Sequence, residues 1–105
     1  MSYRELSTWN EANELRCLLI FKKLQAAKFK RGMQMDYCRT MSAQTQLDAG
    51  SISAKVSNYK SVAGVNGSSH ASSNTKEVFK LYGNLSIQEL VDLIDHEANP
   101  EHGVQ

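Results

Sequence analysis

An all-α fold of about five helices, two of them forming a helix-turn-helix, is the architecture this sequence predicts, and three observations carry it. Apolar residues recur at three- and four-residue intervals through most of the chain, no segment alternates apolar and polar residues for the length of a strand, and helix-start and helix-stop residues punctuate the pattern. The 105 residues, 41% of them apolar, suffice for one modest core and are too few for two domains. Residues 1–99 are therefore expected to form a single helical domain, with 100–105 as a frayed tail.

The first helix is expected to start at Thr8, because Thr8 and Glu11 have the spacing of a capping box, and to run to about Lys28. Trp9, Ala12, Leu15, Leu19 and the run from Phe21 to Leu24 give it a core-facing side. After Gly32, Met33 to Ala43 carries Met33, Tyr37 and Met41 or Cys38 at helical intervals and reads as a second helix. Gln44 to Gly50 is polar apart from Leu47, and Ser51 is expected to cap a third helix, striped by Ile52, Val56 and Tyr59 and ended by Gly64. Residues 64–75, rich in Gly, Ser and Asn, read as a long loop. Asn74 or Thr75 would cap a fourth helix carrying Val78, Phe79 and Tyr82 and closed by Gly83. A second capping box, Ser86 with Glu89, opens a fifth helix whose stripe is Ile87, Leu90, Val91 and Ile94 and which reaches about His96.

Composition excludes several classes of function. The longest apolar run, Cys17 to Phe21, is far short of the roughly 20 residues that cross a bilayer, and Met1 to Glu5 does not read as a secretory leader, so a cytoplasmic protein with no membrane partner is expected. Cys17 and Cys38 lack CxxC spacing and read as reduced structural thiols. His70, His96 and His102 have no metal-ligand spacing, no serine sits in a nucleophile motif, and the carboxylates fall mostly on solvent-facing helical positions. No enzyme, cofactor, metal or small-molecule substrate is expected. The net charge of +1 is unevenly spread: Met1 to Gly83 holds all twelve Lys and Arg against six acids, whereas Asn84 to Gln105 holds five acids and neither Lys nor Arg. A basic body of this kind suits a polyanion.

The second and third helices, joined by a short turn, have the order of a helix-turn-helix. With Ile52, Val56 and Tyr59 buried, the third helix would present Ser51, Ser53, Ala54, Lys55, Ser57, Asn58 and Ser61. Small side chains admit close approach to a groove, and Asn, Ser, Ala and Lys can meet adenine, phosphate, a thymine methyl and guanine respectively. Double-stranded DNA is thus the expected partner, with Lys22, Lys23, Lys28, Lys30, Arg31 and Lys60 toward phosphates. The alternative is a small adaptor or inhibitor that binds a host protein through the acidic fifth helix or an aromatic patch. A single recognition helix covers few base pairs, which favours a homodimer, and Leu18 or Ile20 are its expected buried surface.

The segment Ser51-Ile-Ser-Ala-Lys-Val-Ser-Asn-Tyr-Lys-Ser-Val62, with His70-Ala-Ser and Lys76-Glu-Val-Phe-Lys-Leu-Tyr82, resembles the helical DNA-reading module found ahead of HNH nuclease domains. It is similar as well to the front of phage-satellite replication initiators and of the phage nucleases that target the same origins. The likeness spans Gly50 to Ile94. Ala49 stands where that family often has Pro, Leu47 where a polar or basic residue is common, and Tyr59 where Phe is usual. The resemblance implies a recognition domain for an origin or site of a mobile element, working at the nucleoid of a bacterial or phage-infected cell.

Overall fold

The computed structural model describes residues 9–65 and 72–98. Among these residues there are five helices and no strand: α1 (Glu11–Ala26), α2 (Met33–Thr45), α3 (Ala49–Val62), α4 (Ser73–Tyr82) and α5 (Ile87–Ala98). No helix among them is long and apolar enough to cross a membrane.

α1 is apolar on nearly every side, and such a helix folds only when it is covered all round. It packs against each of the other four helices and buries Leu15, Cys17, Leu18, Ile20, Phe21 and Leu24. The apolar surplus that suggested a dimer face at Leu18 and Ile20 is therefore consumed inside the chain: Leu18 has no exposed surface and Ile20 is buried beside it. Phe21 is the aromatic centre, with Phe29 and Phe79 at ring-centroid distances of 6.1 and 6.2 Å.

Three helix starts differ from the sequence expectation, each because an equally good capping residue stands two or three residues away, downstream for α1 and upstream for α3 and α4. Asn10 caps α1, its side chain accepting from the Asn13 amide at 2.8 Å, whereas Thr8 lies outside the described residues. Asp48, not Ser51, caps α3 and accepts from the Ser51 amide at 3.0 Å. The carboxylate of Asp48 arches over the first turn so closely that a Cβ on Gly50 would sit 2.9 Å from it and displace the cap. Ser72 caps α4 through the Thr75 amide, so the loop ends before Asn74. The Ser86 and Glu89 capping box forms as read, with reciprocal bonds of 2.8 and 3.1 Å. α1 ends at Ala26 rather than Lys28, because Lys28 and Phe29 both turn into the left-handed region, at φ 58° and 57°, and the Phe29 amide bonds back to the Leu24 carbonyl.

Both cysteines are free thiols and both are buried. Burial, and secondarily the carboxylate of Glu14, push the Cys17 thiol far above the ordinary thiol range, and burial likewise raises Cys38 against a small opposing effect of a hydrogen bond to Ser53. The folded pKa being the higher one, unfolded chains lose the Cys17 proton first, so stability is complete below the ordinary thiol value and falls as pH rises above it. Each pH unit above about 9 is expected to cost about 1.4 kcal/mol through Cys17. Cys17→Ala should flatten that alkaline slope in urea titrations; an unchanged slope would assign it to other groups.

Candidate nucleic-acid interface

α2 and α3 are joined by three residues, Gln46, Leu47 and Asp48. Gln46 ends α2 in the left-handed conformation, φ 67°, and its amide returns to the Ser42 carbonyl at 2.8 Å. Leu47 is buried and anchors the turn, while the Thr45 hydroxyl accepts from its amide and the Ser42 hydroxyl donates to its carbonyl. Across the seam the Gln34 amide donates to the Ser53 carbonyl and hydroxyl and to the Ser57 hydroxyl, at 3.0 to 3.2 Å. Two helices held this tightly present α3 as a rigid element.

Ile52, Val56 and Tyr59 face the core as the periodicity predicts. Of the residues expected on the outer side, Ser51 and Ala54 are exposed beside Gly50, and Asn58 and Ser61 are half-buried one and two turns on. Ser53 and Ser57 stand on the flank toward α2, engaged by Gln34. The outward strip of α3 is thus Gly50, Ala54, Asn58 and Ser61, with Ser51 at its edge, a surface with little side chain between the helix backbone and whatever meets it.

Lys55 departs from the expected solvent-facing position. It lies on the opposite flank, toward α4, and only 20% of its side chain is exposed. Its ammonium is 3.3 Å from Oε2 of Glu14, donates to the Thr75 hydroxyl at 3.2 Å and stands 5.2 Å over the Trp9 ring. Glu14 is itself 1% exposed, an exception to carboxylates that were expected mostly on solvent faces. Its Oε1 accepts the hydroxyls of Tyr59, at 2.9 Å, and of Thr75, at 2.7 Å. This cluster fastens α1, α3 and α4 to one another. A phenyl ring at position 59 would leave Glu14 one donor short.

The cations read as phosphate contacts divide into two groups. Lys22 donates to the Gly83 carbonyl at 2.8 Å and Lys23 lies over the Tyr37 ring at 5.4 Å, so both serve packing between helices. Lys28, Lys30 and Arg31 are exposed on the loop between α1 and α2, and none has an ion-pair partner among the described residues. Lys60, in the last turn of α3, stands 5.4 Å over the ring of Phe29, between Lys28 and Lys30 in the chain. That contact brings the basic loop beside the C-terminal half of α3. The segment 66–71, most of the loop expected to meet phosphates, lies outside the described residues.

The only sequence signal for Glu14 was weak: it falls between Asn13 and Leu15 on a helix with apolar residues all round. No family model, no curated protein and no solved structure matches this chain, and the reading of this surface rests on its own chemistry.

Proposed function

We propose that this chain is a sequence-specific double-stranded DNA-binding domain, which lays the outer strip of α3 into the major groove and sets the loop between α1 and α2 on the flanking phosphates. The observation that carries it is the juxtaposition of Lys60 and Phe29, which gathers Lys28, Lys30, Arg31 and Lys60 at one end of a helix whose outer side chains are small and hydrogen-bonding. Cations with no ion-pair partner among the described residues release the counterions of DNA on meeting phosphate, while Asn58, Ser61 and Ala54 supply an amide, a hydroxyl and a methyl for base edges. The resemblance to the DNA-reading modules of phage-satellite initiators and HNH nucleases supports origin or site recognition for a mobile element as the setting. Two copies on an inverted repeat would extend the site, through a surface other than Leu18 and Ile20.

Selection from a random duplex library tests this. The wild-type chain is expected to enrich one motif, and Asn58→Ala/Ser61→Ala to lose it. Lys28→Ala/Lys30→Ala/Arg31→Ala should instead weaken binding to all sequences alike and flatten the salt dependence by about 0.9 in log-log slope per lost contact. No enrichment by a folded wild-type chain would count against the reading.

One feature favours the second reading, an adaptor or inhibitor that grips a host protein. A groove of about 350 Å³ runs between α1, α2 and α5, with Leu19, Ile20, Met41 and Ile94 below and Arg16, Lys23 and Tyr37 along one wall. Val91, 39% exposed, stands at its edge. Binding of a partner that survives Asn58→Ala and fails with Val91→Asp would assign function to this groove.

A further inference from the structure

We propose that Glu14 sets how strictly α3 discriminates between DNA sequences, by withholding Lys55 from the phosphate backbone; the inference rests on the DNA reading above. Lys55 is the only Lys or Arg in the first half of α3, one turn from Ser51 and Asn58. A lysine free at that place adds a phosphate contact, and a phosphate contact strengthens binding to every sequence alike. Its ammonium is instead drawn inward to Glu14 at 3.3 Å, hydrogen-bonded to Thr75 and roofed by Trp9.

Glu14 is built for this hold. The Tyr59 and Thr75 hydroxyls both go to Oε1, while Oε2, fully buried, accepts no hydrogen bond from the described residues. Among the described residues, the Lys55 ammonium is the cation that balances the negative charge on that oxygen. Thr75 transmits the arrangement, because the one hydroxyl donates to Glu14 and accepts from Lys55 and Ser72. Glu14 touches no outer surface of α3 and acts only through Lys55, as a positioning residue. Base reading is then left to the neutral strip of Ala54, Asn58 and Ser61, beside cations confined to the loop and to Lys60.

Glu14→Gln keeps the acceptor for both hydroxyls and removes only the charge that holds the ammonium. Affinities of wild type, Glu14→Gln and Glu14→Gln/Lys55→Met for an unselected duplex, measured from 50 to 200 mM salt with circular dichroism as the fold check, test the proposal. Glu14→Gln is expected to steepen the log-log salt slope by about 0.9, an extra loss of roughly 3.5-fold in affinity across that range, and the double variant to return to the wild-type slope. A folded Glu14→Gln with the wild-type slope overturns the inference and leaves the DNA reading standing. So does a double variant about 0.9 shallower than wild type, since Lys55 would then already touch phosphate. If Glu14→Gln does not fold, the comparison of wild type with the double variant decides. A wild-type chain that binds no duplex at 50 mM salt overturns the DNA reading and this inference with it.

Discussion

Lys55→Ala is expected to remove about 3–5 kcal/mol from the unfolding free energy, although the residue lies on a helix flank that sequence reading assigned to solvent. The loss is electrostatic in origin. Without the ammonium, the charge on Glu14 sits in a place 1% exposed to water, with an oxygen that accepts no hydrogen bond from the described residues. Breaking a buried pair by removing one partner leaves the other charge uncompensated, which costs more than the pair contributes. Domains of this size have about 5–15 kcal/mol in total, so the variant should be partly unfolded at moderate urea. Adding Glu14→Gln to Lys55→Ala is expected to recover most of the loss, because it removes the stranded charge and keeps the acceptor for Tyr59 and Thr75. A urea midpoint shifted by less than about 1 kcal/mol equivalent, as for an exposed ion pair, would mean that water reaches this cluster.

Leu18→Ala is expected to cost about 2–5 kcal/mol with no change in sedimentation behaviour. Leu18 has no exposed surface and belongs to the same cluster as Phe21, Ile52, Val56 and Leu90, so truncation opens a cavity inside one chain. Were it an association surface, the variant would sediment as a smaller species at micromolar concentration while its monomer kept its stability. The two measurements together separate a core residue from an interface residue.

The fold was legible in the sequence where one signal decided it. The stripe of Ile52, Val56 and Tyr59, the anchoring of the turn by Leu47 and the Ser86 and Glu89 box all appear where periodicity and capping chemistry place them. Helix starts were ambiguous where two good caps lie close together, as with Asp48 and Ser51, because local chemistry favours both and tertiary packing chooses. The candidate site was half legible. Exposed Lys28, Lys30 and Arg31 follow from a polar loop, whereas the inward turn of Lys55 depends on Glu14 and Thr75, 41 and 20 residues away in sequence. Periodicity describes which side of a helix faces the core, and it carries no account of a flank that a neighbouring helix covers. The same limit misplaced Leu18 and Ile20, since an apolar surplus reads alike whether it is covered by another helix or by another molecule.

The packing of α1 against α5 also governs how the chain acquires its structure. α1 is the helix on which the other four pack, and part of its cover, Leu90 and Ile94, comes from α5, the helix farthest from it in sequence. Contacts between segments so far apart carry a loop-closure entropy, so the core around α1 is expected to close in one cooperative step, when α5 docks, rather than helix by helix. Until that step the apolar back of α1 is uncovered, so a chain in which α5 has not docked is expected to be prone to aggregation.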